Sequence, residues 1–137
     1  MIVRCTANSG LALPANYLDP RVGYTSEMEF PLTIARKYVV IAIALRQNQV
    51  WYYISDDDDL YYPTATPAPL FEVSDRRLSK YWRYAFTPEH EDHLALFAFQ
   101  EWVVDDYFYD RLTDGKEPEV SIYQKLKTMM TSEAQIA

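Results

Sequence analysis

The chain has 137 residues, the usual size of one domain, and 49% of them are hydrophobic and 15% aromatic. This composition can form a buried core and excludes an intrinsically disordered chain. The formal net charge of −7 disfavours nucleic-acid binding as the main function, because contacts to phosphates need a basic surface. The longest apolar stretch, 39–45, is far too short to cross a bilayer, so no membrane function is expected.

Cysteine content and the start of the chain predict a cytoplasmic protein. Cys5 is the only cysteine, so an internal disulfide is excluded and a reducing compartment is expected. Residues 1–6 lack the charged region and apolar run of a signal peptide.

Strand patterns dominate the first 86 residues. A strand is predicted over 2–7, and a loop over 11–32, where prolines and a glycine recur. Two apolar, β-branched or aromatic runs, 38–45 and 50–54, flank the polar connection 46–49 and predict an antiparallel hairpin.

The segment after this hairpin is rich in proline. Pro63, Pro67 and Pro69 predict an extended, irregular stretch over 60–69, because proline cannot donate to a strand ladder. Further strands are predicted over 69–73 and 81–86.

Helical signals follow Pro88, for which Thr87 is a suitable N-cap. Apolar spacing predicts a helix over 94–113, and a second helix is expected from about Pro118 to 131, with fraying over 132–137.

Strands followed by helices predict an α+β fold. We expect one domain over 1–137, with a β-rich part over 1–86 and a helical part over 88–131. The architecture expected is a small antiparallel β-barrel of the SH3-like kind, or a curled sheet, followed by two C-terminal helices.

Charge is unevenly distributed along the chain. Residues 89–119 contain ten acids and two bases, and the run 56–59 adds four aspartates. Four bases and no acid occur over 76–83. These bases and the acids of the predicted helix, among which Asp106 and Asp110 lie four residues apart, could pair with each other or leave the acids for a partner.

Catalytic and metal-binding motifs are weak. His90 and His93 are three residues apart, whereas a helical zinc site needs a spacing of four. The run 56–59 lacks the alternating acids, central glycine and final glutamate of a calcium-binding loop. Nothing beside Cys5 marks it as an activated nucleophile. The sequence therefore predicts no cofactor and no metal, and an enzyme using Cys5 or the His90/His93 pair is a secondary alternative.

Three short motifs carry a resemblance to a known group of proteins. They are Lys-Tyr-x-Val at 37–40, Tyr-x-Ile-x-Asp-Asp at 52–57 and Leu-Phe-Glu-Val at 70–73. Their order resembles small bacterial proteins with SH3-like barrels, some of which are immunity proteins of polymorphic and contact-dependent toxin systems. This resemblance implies an immunity-type protein that binds and neutralises a cognate toxin domain by direct contact.

An acidic surface suits such a role, because it can steer onto the basic active site of a nuclease toxin. A small structural or regulatory interaction domain without a toxin partner is the main alternative. Trp51 is a further aromatic candidate, with the core as its expected place. The residues expected to contact a protein partner are Asp56, Asp57, Asp58, Asp59, Tyr61, Tyr62, Glu101, Asp105, Asp106 and Asp110.

Overall fold

A computed structural model describes residues 1–135 and has the expected α+β fold. Across these residues, the strands are β1 (Ile2–Cys5), β2 (Lys37–Arg46), β3 (Gln49–Ile54), β4 (Thr64–Pro67), β5 (Phe71–Asp75), β6 (Trp82–Phe86) and β7 (Ala95–Phe99). The α-helices are α1 (Gln100–Val103), α2 (Phe108–Thr113) and α3 (Glu119–Gln135). None of these helices is long and apolar enough to cross a membrane.

The ten-residue strand β2 organises a single antiparallel sheet. Strand β3 runs along one side of β2, and β4 lies beyond β3. The other side of β2 is shared, since β1 pairs with residues 37–39 and β7 with residues 43–45. Strand β5 then pairs with β1, and β6 with β7. The sheet is therefore forked and open, and a closed barrel is not confirmed.

The predicted hairpin is confirmed as β2 and β3. The ladder extends to the pair Arg46 and Gln49, so the turn is tighter than expected, and Asn48 adopts a φ of 60° there. A register shift between Val40 and Ala42 accommodates an extra residue in β2. This bulge lies within a stretch of β2 that is buried on both faces.

The helix predicted over 94–113 is wrong. Residues 95–99 form β7 between β2 and β6, and only the short helices α1 and α2 follow. Both sequence neighbours of Phe97 are almost fully buried, and apolar periodicity cannot separate such a strand from a buried helix. Pairing with β2 decides the outcome because it satisfies the backbone polar groups of β7 on one side, as β6 does on the other.

The irregular stretch predicted over 60–69 is also corrected. Residues 64–67 within it form the edge strand β4, which ends at Pro67 and is followed by a 3₁₀ turn. Proline is tolerated at a sheet edge because no further strand needs its missing N–H. Helix α3 continues to Gln135, beyond the predicted helix end at 131, while 136–137, the last residues expected to fray, lie outside the described residues.

The loop over 11–32 has little regular structure, as predicted, yet it packs closely onto the sheet. It contains three single 3₁₀ turns, and Leu13, Tyr17 and Phe30 are buried. The Tyr17 hydroxyl accepts a hydrogen bond of 2.8 Å from the N–H of Val50. A side chain at Gly10 would lie 1.9 Å from a backbone oxygen, so only glycine fits this close approach.

One continuous core joins the sheet to the helices. Helix α3 buries Tyr123, Leu126 and Met130, which share one face at helical spacing. Trp102 of α1 packs edge-on against Tyr53 of β3, with ring centroids 4.9 Å apart.

Candidate functional site

Most of the aspartate run 56–59 is engaged within the protein. Asp56 is 8% exposed and accepts a hydrogen bond of 2.8 Å from the Thr64 hydroxyl. Asp57 accepts hydrogen bonds of 2.7 Å from Thr33, Arg36 and Tyr38.

These partners stabilise the ionised form of Asp57. Burial opposes ionisation of this carboxyl, but the hydroxyls of Thr33 and Tyr38 and the Arg36 guanidinium hold its pKa below the usual value. Burial, with the Asp57 hydrogen bond as a smaller cause, raises the pKa of Tyr38 to about 12.

The other two aspartates of the run differ from each other. Asp59 pairs with Lys127 at 3.1 Å, and the hydrogen bond from this lysine lowers the pKa of Asp59. The exposed carboxylate of Asp58 has no hydrogen bond or ion pair to any residue in 1–135. The run is therefore chiefly structural, and Asp58 is its one carboxylate without an internal partner among the described residues.

The predicted aromatic anchors have different environments. Tyr61 is 44% exposed, and its hydroxyl donates a hydrogen bond of 2.7 Å to the carbonyl of Thr113. Tyr62 is half-buried and packs edge-on against Tyr61. Trp51 is 2% exposed beneath the Arg46 guanidinium, so it lies in the core.

Asp105 is held by an internal network. Its carboxylate accepts hydrogen bonds from Arg111 and from the N–H of Tyr107. Arg111 also pairs at 3.1 Å with Glu119, which is 7% exposed. Within residues 1–135 no ion pair joins the acids of 101–110 to the bases of 76–83.

Five other acids of residues 89–119 converge on one cleft. The β6–β7 hairpin loop, residues 87–94, faces α2 and the turn before it across a cleft of about 550 Å³. We define the acidic cleft by its lining residues: Phe86, Thr87, Pro88, Glu89, His90, Glu91, Asp92, Asp106, Tyr107 and Asp110. Five of the ten residues are acidic, and none is lysine or arginine. Glu101 lies on α1 outside this lining.

The hairpin loop is shaped by Thr87. The N–H of Thr87 donates to the carbonyl of Leu94 at 2.7 Å, which closes the loop at its base. The Thr87 hydroxyl donates to the carbonyl of His93 at 2.9 Å and lies 2.8 Å from Nδ1 of the same ring. Because the hydroxyl has one proton, Nδ1 donates in this arrangement.

The two histidines stack, and the fold keeps His93 uncharged at neutral pH. Their ring centroids are 4.0 Å apart, and Nδ1 of His90 accepts a hydrogen bond from the N–H of Asp92. Burial, followed by the charge of His90, lowers the pKa of His93 to about 4. No group of three or more His, Cys, Asp or Glu side chains within 1–135 could hold a metal ion.

The structure separates Cys5 from the histidines. The N–H of Cys5 bonds to the carbonyl of Arg36, whereas the N–H of Leu94 bonds to that of Leu45. Arg36 directly precedes β2 and Leu45 lies near its end, so the two carbonyls are nine residues apart, about 30 Å in an extended strand. Cys5 is fully buried, and burial raises the pKa of its thiol. A Cys–His dyad is therefore not formed.

Sequence reasoning identified Asp106 and Asp110 but missed the hairpin side of the cleft, including Glu89, Glu91 and Asp92. The concentration of acids over 89–119 was the available signal. Its first members, 89–92, were expected at the N-terminus of a helix, and the hairpin loop that they form was not predicted. No protein-family model matches the chain, and no match was found among curated proteins or solved structures.

Proposed function

We propose that this chain is an immunity-type protein that binds and neutralises a cognate toxin domain, using the acidic cleft to contact a basic surface. The observation that carries the proposal is the convergence of five carboxylates on one cleft with no lysine or arginine in its lining. Within residues 1–135 these carboxylates form no ion pair, unlike Asp105.

Charge repulsion makes the cleft a binding surface for a cation-rich partner. Like charges held close together repel in the free protein, and a basic partner relieves this repulsion on binding. The negative field also steers a basic partner towards the cleft and accelerates association at low salt.

Exposed aromatic side chains supply the apolar part of the contact. Phe86 is 63% exposed and Tyr107 is 67% exposed, and both line the acidic cleft. Aromatic residues beside a charged rim are typical of interface hot spots.

The choice of a toxin as the partner rests on the resemblance carried by the three strand motifs. These motifs lie on β2, β3 and the start of β5. Under this proposal the forked sheet is an opened variant of an SH3-like barrel, and the protein acts in the cytoplasm. The main alternative, an interaction domain without a toxin partner, would use the same cleft.

Co-expression tests the proposal. An immunity protein is expected to have its toxin encoded beside it, as the variable C-terminal domain of a large secreted protein. The probe is such a neighbouring domain, produced in a host whose growth it arrests. The wild-type chain is expected to restore growth. Asp106→Lys with Asp110→Lys is expected to abolish protection and to slow association by about tenfold or more at low salt.

A matched control has the same charge change at a different place. Glu27→Lys with Glu29→Lys reverses two exposed acids outside the acidic cleft and is expected to protect like the wild type. Failure of the wild type to restore growth would overturn the toxin assignment. Equal loss of protection in both double variants would overturn the role of the cleft.

A further inference from the structure

Strand β6 forms an open edge of the sheet that carries exposed aromatic residues. Within residues 1–135 its only strand neighbour is β7. The other open edges have features that discourage pairing: β4 is flanked by Pro63 and ends at Pro67, and β5 carries Glu72 and Asp75. Strand β6 has neither proline nor acid between Trp82 and Phe86.

The register of β6 shows which backbone groups face the open side. The N–H of Thr87 donates to the carbonyl of Leu94, next to the pair of Phe86 and Ala95. Because bonded pairs alternate along an antiparallel ladder, Tyr84 and Phe86 direct their N–H and C=O groups away from β7.

Trp82 has the same orientation, but its groups are already engaged. Its N–H donates to the carbonyl of Ser79 at 3.2 Å, and its carbonyl accepts from the Arg83 guanidinium at 2.9 Å. Two donors and two acceptors, those of Tyr84 and Phe86, therefore remain for another strand.

Side chains on this edge favour an apolar contact. Tyr84 is 59% exposed and Phe86 is 63% exposed, and they lie on one face because alternate residues of a strand point the same way. The Tyr84 ring rests on Phe97 of β7, with centroids 5.1 Å apart, so it is supported from below.

Charge along β6 is self-complementary for antiparallel pairing. Lys80 and Arg83 lie at its start, whereas Glu89 and Glu91 follow its end. Two copies of the strand in antiparallel orientation bring the basic end of each next to the acidic end of the other, which identifies a second copy of this chain as the partner.

We propose that this chain forms a two-fold symmetric dimer through antiparallel pairing of β6 with β6 of a second copy. Tyr84 lies opposite the partner's Phe86, and Ala85 lies opposite the partner's Ala85. This register uses the four free backbone groups of each strand and places Arg83 opposite the partner's Thr87, at the base of its acidic loop. The dimer does not rest on the proposed function, although Phe86, Glu89 and Glu91 take part in both surfaces.

Cysteine cross-linking tests the register. In this dimer the two Ala85 positions form a non-hydrogen-bonded pair with Cα atoms about 4.5 Å apart, within the range that a disulfide spans. Ala85→Cys is expected to give a disulfide-linked dimer under mild oxidation, seen on a non-reducing gel. Cys5 is 0% exposed and does not compete.

Arg83→Cys is the matched control. The two positions 83 are offset by four residues along the strands, about 13 Å, which a disulfide cannot bridge. No cross-linked dimer is expected from this variant. Absence of cross-linking in Ala85→Cys, or equal cross-linking in both variants, would overturn the proposed pairing.

Sedimentation of the chain alone tests the dimer without any cysteine. The wild type is expected to show a concentration-dependent dimer, and Phe86→Asp is expected to raise its dissociation constant by about tenfold or more. Val104→Asp changes a side chain that is 66% exposed at the end of α1 and is not part of β6, and it should leave the dimer intact. A wild type that stays monomeric at hundreds of micromolar, or equal effects of the two variants, would refute the dimer.

Discussion

Asp57 and Asp58 are adjacent, identical in type and unequal in their surroundings. Asp57 receives three hydrogen bonds from residues on the preceding loop and β2, whereas Asp58 has no side-chain partner within 1–135. A charged run in a sequence is therefore a mixture of structural and surface positions, and only contacts separate the two.

Replacing Asp57 with Ala is expected to lower the free energy of unfolding by about 1–3 kcal/mol, because the buried Tyr38 hydroxyl loses its acceptor. Asp58→Ala is the control and should change it by less than about 0.5 kcal/mol. Urea unfolding followed by fluorescence measures both. Equal effects would show that the Asp57 hydrogen bonds contribute little.

His93 makes the free energy of unfolding depend on pH between the pKa values of this residue in the unfolded and the folded chain. Its pKa is lowered from 6.5 to about 4, so between these values the unfolded chain binds a proton that the folded chain does not. The contribution of neutral His93 to the free energy of unfolding is therefore complete above pH 6.5 and is lost as the pH falls towards 4.

Between pH 7 and pH 5, the wild type is expected to lose about 1–2 kcal/mol more unfolding free energy than His93→Gln. The carboxyls with lowered pKa titrate below this window and affect both proteins alike. Urea unfolding at the two pH values measures the difference. Identical losses in the two proteins would mean that His93 is not held neutral by the fold.

At the scale of elements, contacts with residues distant in the chain determine the conformation of β7 and the position of α2. Residues 95–99 satisfy an apolar helical spacing, yet strands on both sides hold them extended. Helix α2 is short, and its position relative to α3 is secured by Arg111, which contacts Asp105 before α2 and Glu119 at the start of α3.

Arg111→Ala is expected to destabilise the protein by about 1–3 kcal/mol, because Glu119 remains 7% exposed without its cation. Adding Glu119→Gln should recover part of the loss, since the buried charge is then removed. Lys116→Ala, at an exposed position nearby, serves as the control. No recovery in the double variant would indicate that Arg111 acts through packing alone.

Over the whole molecule, the core is continuous from the sheet to α3. The three tryptophans sample different parts of it: Trp51 on β3, Trp82 on β6 and Trp102 on α1, each less than 9% exposed. Far-ultraviolet circular dichroism reports mainly on α3, the longest helix of the described chain.

Fluorescence and circular dichroism are therefore expected to give one coincident unfolding transition in urea, as a single cooperative core requires. Helix α3 melting at lower urea than the tryptophan environment would contradict a single domain.

Features of the site that depend on residues close together in the sequence were predictable, whereas features that depend on residues far apart in the chain were not. The hairpin of β2 and β3 was predictable because its signals, two apolar runs and a polar turn, lie within 20 residues. The acid concentration over 89–119 was visible for the same reason. In contrast, the partners of Asp59 and Asp57 lie 68 and up to 24 residues away in the chain.

The sequence by itself determined the α+β class, the central hairpin, the negative charge and its concentration near residues 89–119, because each follows from neighbouring residues or their sum. Only the tertiary structure decided that residues 95–99 form a strand, that most of the aspartate run is structural and that the hairpin loop faces α2 across the acidic cleft. The physical reason is that backbone pairing, desolvation and ion pairing depend on which distant groups come into contact, and folding sets those contacts for the whole chain at once.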